Sequence, residues 1–353
     1  MTYLYEKAGA PGAGLRLHLN ENTSGCSPAV IEALRAITPE MIAFYPDYAA
    51  PVAAVARRLG VAESHVALTN GLDEGILAAC MAAAIADGSK TARTREAEAV
   101  VVVPAFDMQP ACARAAGARV VEVCLDRDFG FPTPQLLEAM RPETRIVFIT
   151  SPNNPTGMLV PAKAIQTVAQ AAPHALIFVD EAYADFSGTT LIGSQIVEAH
   201  PNIVIGRTFS KAYGLAGLRC GAVIASPDLI ARIQSVLPPY SINAAAVVAL
   251  GAALDDRAHY ERYLEEVRRS KAMLYDAFER LGIEYWPSAA NFVLARFGDE
   301  ARRVCRLLAD RGILVRDRSK HPLCDGCVRI TAGVAAHTER CIDAIEEVLC
   351  GAR

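Results

Sequence analysis

Short runs of β-branched and aliphatic residues recur along the chain: VALT, EAVVVVP, ARVVEVCL, RIVFIT, ALIFVD, NIVIG and CGAVIAS. Most are apolar throughout instead of alternating with polar positions, the pattern of strands buried on both faces of a mostly parallel sheet. Alanine-rich stretches long enough for helices lie between them, so the chain predicts an α/β fold, a seven-stranded sheet covered by helices. The periodicity changes after LPPYSINAAAVVALGAAL. Residues 259–282 (HYERYLEEVRRSKAMLYDAFERLG) repeat apolar positions at three- and four-residue steps, which predicts a long amphipathic helix. That helix is expected to join a large domain, residues 40–255, to a smaller α+β domain made of residues 1–39 and 256–353. No low-complexity linker separates the two, so their interface is expected to be extensive. Residues 91–98 (TARTREAE) are polar and read as an exposed connection.

Composition narrows the class. At 353 residues the chain exceeds one typical core, and with 52% apolar residues it can bury a large one. A net charge of −4 and the lack of a basic run argue against a nucleic-acid or anionic-membrane partner. The start, MTYLYEKAG, has no apolar signal region, and the longest apolar helical pattern, around residues 76–86, is too short for a bilayer. A cytoplasmic protein with reduced thiols is therefore expected, and the ten cysteines show no framework spacing. Cys324 and Cys327 form a C-x-x-C, but strand-like VRIT follows and no second pair lies nearby, so neither a metal nor a redox role is assigned. The seven histidines show no ligand-like clustering, and no metal site is expected.

Candidate chemistry sits where the apolar runs end. Residues 146–157 (IVFITSPNNPTG) run into a turn holding Asn154; residues 175–183 (ALIFVDEAY) end in Asp180 and Tyr183; NIVIG leads into residues 208–221 (TFSKAYGLAGLRCG), with Lys211. Taken singly, the first is an ordinary Asn/Pro/Gly turn, the second a helix start with acidic first-turn residues, and the third a structural lysine. Their joint occurrence in this order, each at a predicted strand end, matches a pyridoxal phosphate site. That cofactor holds its aldehyde on a lysine amine, and Lys211 is the candidate for this and for moving the substrate α-proton. Its pyridine nitrogen stays protonated beside a carboxylate, for which Asp180 is the candidate. Its ring oxygen takes neutral donors, Asn154 and Tyr183. Its phosphate takes hydroxyls and an arginine, Thr208, Ser210 and Arg219, together with the backbone N–H groups of Leu72 and Asp73 where NGLDE opens a helix.

These segments resemble the aspartate-aminotransferase superfamily, fold type I of the pyridoxal phosphate enzymes, and within it the histidinol-phosphate aminotransferases. The resemblance covers about residues 17–340 and is carried in order by LHLNEN, FYPD, NGLDEG, SPNNPTG, VDEAY, RTFSKAYGLAGLRCG, ANFVLARF and ILVRDRSKHPLCDGCVRITAG. It implies a homodimer in which Tyr45, in FYPD, reaches the cofactor phosphate of the neighbouring subunit. It implies that Phe106, in VPAFDM, stacks on the ring where the family usually has a tyrosine. It also implies that Arg329, and Arg316 nearby, take the anionic end of the substrate. Two forked guanidinium groups suit a site that must accept both carboxylates and a phosphate. Alternatively, Arg316 caps its strand in an ion pair with Asp317. The chain departs from the family at its start, where a tyrosine after a proline helps hold the substrate phosphate; only Tyr3 and Tyr5 lie near.

The implied reaction is amino transfer between L-histidinol phosphate and 2-oxoglutarate. An aminotransferase of aromatic amino acids and a decarboxylase of phosphorylated threonine share the fold and stay open. A cofactor-binding regulator is the reading from another class, but it would need a DNA-binding segment for which this chain has no room.

Overall fold

The structure, a computed structural model, describes residues 14–84 and 97–350; Tyr3 and Tyr5 lie outside them. Its strands are β1 (Leu15–Arg16), β2 (Val66–Asn70), β3 (Glu98–Val103), β4 (Arg119–Cys124), β5 (Thr144–Thr150), β6 (Leu176–Asp180), β7 (Ile203–Thr208) and β8 (Cys220–Ile224), then β9 (Glu284–Trp286), β10 (Phe292–Arg296), β11 (Ile313–Leu314), β12 (Arg316–Asp317) and β13 (Cys327–Thr331). Seven form one sheet in the order β2-β8-β7-β6-β5-β3-β4. β3 to β7 pair in parallel, and β8 runs antiparallel to both β7 and β2. The apolar runs behave as their pattern predicts. Val100 and Val102 face one core while Val101 and Val103 face another, so both sides of the strand are covered.

The helix Gly71–Ala84 (GLDEGILAACMAAA) packs against the sheet and neighbouring helices, which is why small apolar residues surround it on nearly every side. Among the described residues, no helix is long and apolar enough to cross a membrane. The charged helix runs Arg257–Leu281, capped by Asp256, whose carboxylate accepts from His259 N at 3.0 Å, and ended by Gly282 at φ 67°. It buries Tyr263, Val267, Leu274 and Phe278, the stripe expected from the sequence.

A second sheet, β12-β13-β10-β9, is antiparallel throughout and carries its own core, with Phe278, Val293, Val328 and Ile345. Leu15 and Leu17 join that core as β1 pairs with β11. One expectation needs correcting, that for Glu98, and one segment of the expected smaller unit packs elsewhere. The helix Pro28–Arg35, expected in the smaller unit, packs on the helix Ala244–Asp255, and its Val30 is buried in the large-sheet core. Glu98, expected in an exposed connection, starts β3 at 4% exposure and pairs with Arg119 on β4; residues 91–96 lie outside the described residues. A charged residue reads as loop until a cross-strand partner neutralises it.

Candidate active site

β5, β6 and β7 are parallel neighbours, so their carboxyl ends emerge side by side; β8 is reversed, so its amino end joins them. Loops beyond those ends wall a cavity of about 280 Å³. It brings together the expected residues Leu72, Asp73, Phe106, Asn154, Asp180, Tyr183, Thr208, Ser210, Lys211 and Arg219 from the large sheet. Arg316 and Arg329 reach it from the small one. Tyr45 is not part of that wall; it is 78% exposed and stacks on Tyr240 with ring centroids 4.2 Å apart.

Lys211 follows β7, and its Nζ donates to the carbonyl of Leu19 at 2.9 Å. Burial, then the positive charge of Arg329, pull its pKa from 10.5 to about 8, so an appreciable fraction of the amine is neutral near physiological pH. Asp180 ends β6 at 2% exposure. Its Oδ1 accepts from Ala182 N at 3.0 Å and its Oδ2 from Gln109 Nε2 at 3.3 Å. Burial outweighs both bonds and lifts its pKa to about 6, so the carboxylate is poised for a cationic partner. Asn154 Nδ2 donates to the Tyr183 hydroxyl at 3.4 Å, and Asn20 Nδ2 donates to the same hydroxyl at 2.9 Å. Arg329 donates to Asn154 Oδ1 at 2.5 Å and to the His18 carbonyl at 2.6 Å, which ties the small sheet to the loop after β5.

On the opposite wall, the helix begins at Gly71, earlier than the break after NGLDE suggested, so Leu72 and Asp73 lie in its first turn. Arg219 pairs with Asp73 at 2.9 Å. Ser210 N donates to Thr208 Oγ1 at 3.3 Å, and Ser210 Oγ is buried with no hydrogen-bond partner among the described residues. An orphaned buried hydroxyl beside an arginine and a helix amino end fits a phosphate. With Asp180 for a protonated pyridine nitrogen, Asn154 and Tyr183 for a ring oxygen and Lys211 for an aldehyde, the donor set fits pyridoxal phosphate throughout. Gly71 lies at φ 74°, and a Cβ there would fall 2.3 Å from Arg219 Nη2. Gly71→Ala should therefore displace the guanidinium and raise the cofactor dissociation constant by about tenfold, roughly 1.4 kcal/mol. Titration of cofactor-free protein reads this directly; an unchanged affinity would show that Arg219 does not hold the phosphate.

Arg316 and Arg329 are direct partners across the β12–β13 pair. Both side chains line the cavity. Beside Arg316, Asp317 Oδ1 accepts from Ser319 N at 2.8 Å and Ser319 Oγ at 2.6 Å. Asn20, Asp107 and Arg318 also line the cavity and were not anticipated from sequence. Strand alternation carries one clue, since Arg318 stands two residues beyond Arg316 in VRDR. Cys324 and Cys327 are free and buried, with Cys327 N donating to the Cys324 carbonyl at 2.9 Å in the turn before β13.

The chain matches the family described as aminotransferase class I and II over residues 13–349. It is 36% identical to histidinol-phosphate aminotransferase 2 of Ralstonia nicotianae over 346 residues, 96% of this chain and 89% of the relative. It is 35% identical to the histidinol-phosphate aminotransferase of Moorella thermoacetica over 343 residues, 95% of this chain and 85% of the relative. The crystal structure of histidinol-phosphate aminotransferase from Sinorhizobium meliloti in complex with pyridoxal-5'-phosphate superposes with a TM-score of 0.84 at 27% identity. That superposition covers 96% of this chain and 92% of the other.

Proposed function

Because the chain belongs to the class I and II aminotransferases, whose reaction rests on pyridoxal phosphate, we propose that it transfers the amino group of L-histidinol phosphate to 2-oxoglutarate. The reaction would be a step of histidine biosynthesis, carried out in the cytoplasm. The observation that carries the substrate reading is the Arg316–Arg329 pair, side chains from directly paired strand positions that line the same cavity as Lys211. Such a pair can hold the phosphate of one substrate and the distal carboxylate of the other. Histidinol-phosphate aminotransferases among the full-length relatives favour the same donor.

Each residue has a proposed task. Ser210, Thr208 and Arg219, with the first turn of the helix Gly71–Ala84, hold the cofactor phosphate. Asp180 holds positive charge at the pyridine nitrogen, and Asn154 and Tyr183 donate to the ring oxygen. Phe106 packs on the ring. Bound pyridoxal phosphate supplies the electron sink that makes the substrate Cα–H acidic. Lys211 anchors the cofactor, yields that place to the substrate amine, and carries the Cα proton away and back. The lowered pKa, about 8, suits an amine that must both accept and return a proton. Arg329 and Arg316 orient the anionic end so that the Cα–H faces Lys211.

The test is a spectral titration of the cofactor-loaded enzyme with L-histidinol phosphate, L-phenylalanine and L-glutamate. Conversion by micromolar histidinol phosphate, with 2-oxoglutarate restoring the starting spectrum, is the expected result. Response to phenylalanine alone would move the donor to the aromatic amino acids, and release of carbon dioxide from phosphothreonine would move the reaction to decarboxylation.

The division into a large and a small domain is also proposed, with the helix Pro28–Arg35 on the large one. So is a homodimer. Ile42, Phe44, Tyr45 and Tyr240 are exposed large apolar side chains, and Tyr45 stacks on Tyr240, which supports an interface there. Within that dimer Tyr45 is proposed to reach the cofactor phosphate of the neighbouring subunit. Mixing Tyr45→Ala with Lys211→Ala protein checks this. If Tyr45 acts across the interface, each hybrid dimer has one intact site and regains roughly half of wild-type activity. No recovery in hybrids would assign Tyr45 to its own subunit.

A further inference from the structure

We infer that Asn20 is a positioning residue for amino transfer: it turns the Tyr183 hydroxyl so that the proton of that hydroxyl is offered to the cofactor ring oxygen. The inference deepens the role proposed above for Tyr183 and rests on it. Asn20 Nδ2 donates to the Tyr183 hydroxyl at 2.9 Å, and Asn154 Nδ2 donates to it at the longer 3.4 Å. A tyrosine hydroxyl has one proton to give and lone pairs that accept. Both bonds come in, and among the described residues the hydroxyl donates to none, so its proton is left for the cavity that Tyr183 lines.

Asn20 is 1% exposed, and its backbone lies at φ 55°, in the left-handed region that asparagine tolerates better than most side chains. Three hydrogen bonds to Thr331, the last residue of β13, and to Asn291, just before β10, hold it there. Its N–H donates to Thr331 Oγ1 at 3.0 Å, its carbonyl accepts from Asn291 Nδ2 at 3.1 Å, and its Oδ1 accepts from Thr331 Oγ1 at 3.3 Å. The last bond sorts the two ends of the amide: with the oxygen on Thr331, the nitrogen faces Tyr183.

A hydroxyl that accepts a hydrogen bond becomes a stronger donor, and one held by its acceptor side keeps its proton from swinging away. Burial raises the Tyr183 pKa, while Arg329 and the Asn20 bond oppose that, and the phenol keeps its proton at neutral pH. A proton donated to the ring oxygen makes that oxygen less basic. The nitrogen that joins Lys211 to the cofactor shares its proton with this oxygen, so it gives that proton up at lower pH. Removing Asn20 should raise that pH.

The test is a pH titration of the cofactor's absorbance in loaded enzyme without substrate, for wild type, Asn20→Gly, Tyr183→Phe and the double variant. Glycine keeps the left-handed backbone and its N–H while removing the amide. Asn20→Gly should raise the midpoint by about 0.7 pH unit, the size of one hydrogen bond, and Tyr183→Phe by at least as much. In the double variant Asn20→Gly should add nothing to Tyr183→Phe, a result that a merely structural role would not produce. Asn20→Asp is a second variant suited to the same backbone. It turns the donor into an acceptor that draws the Tyr183 proton to itself, so the midpoint should rise further than with glycine, and by less once Tyr183 is phenylalanine. Equal shifts with and without the Tyr183 hydroxyl, or an Asn20→Gly midpoint at the wild-type value, would overturn the inference and leave Tyr183 in its role. A Tyr183→Phe midpoint at the wild-type value would refute the Tyr183 role, and the inference with it.

Discussion

Lys211→Ala should lower turnover by at least about 10⁴-fold, roughly 5 kcal/mol, because one side chain is asked to anchor the cofactor and to move the Cα proton. A positioned general acid/base alone accounts for about 10² to 10⁴. Among the described residues the other cations lining the cavity are Arg219, Arg316, Arg318 and Arg329, and guanidinium groups do not deprotonate in this range. Cofactor affinity should fall less than turnover, since Ser210, Arg219 and Asp180 remain. Borohydride followed by mass spectrometry separates the two roles. It should fix the cofactor covalently to Lys211 in the wild type and leave Lys211→Ala unlabelled. A covalent adduct in the variant, or turnover within tenfold of wild type, would remove Lys211 from the mechanism.

Asp180→Asn should cut turnover by about 10³-fold, near 4 kcal/mol, while cofactor stays bound. The carboxylate is buried, so its charge acts with little screening, and asparagine keeps the shape while losing that charge. Stability supplies an independent reading. The folded pKa, about 6, stands above the ordinary 3.8, so the fold disfavours the ionised form. The resulting cost in cofactor-free protein is absent below pH about 4, grows as pH rises toward about 6, and is full above it. Cofactor-free Asp180→Asn should thus melt at or above wild type at pH 8, with the gap closing by pH 4. A variant less stable than wild type at pH 8 would mean that Asp180 holds the loop after β6 together, and its lost activity would carry no information about the pyridine nitrogen.

Much of the site was legible because its chemistry demands particular residue types at strand ends. Lys211, Asp180 and Asn154 each follow an uninterrupted apolar run, and those runs became β7, β6 and β5. Asn20 and Asp107 were not legible. Asn20 meets Thr331, with its N–H donating to Thr331 Oγ1 at 3.0 Å across 311 residues of sequence, and no local pattern encodes that distance. Asp107 gains meaning only beside Arg318 and His321, which arrive from the other sheet.

What the sequence determined by itself is the succession of elements and the residue types at their ends. Both follow from interactions within a few residues: apolar runs that need covering on two faces, caps such as Ser27 and Asp256, and turns built on proline, asparagine and glycine. Only the tertiary structure decided strand order, direction and register. The reversal of β8 carries Arg219 to the same edge as Lys211, and the register of β12 against β13 sets Arg316 opposite Arg329. Those choices belong to backbone hydrogen bonds and packing between segments far apart in the chain. Their free energy exists only when both partners are present, so neither segment reveals it alone.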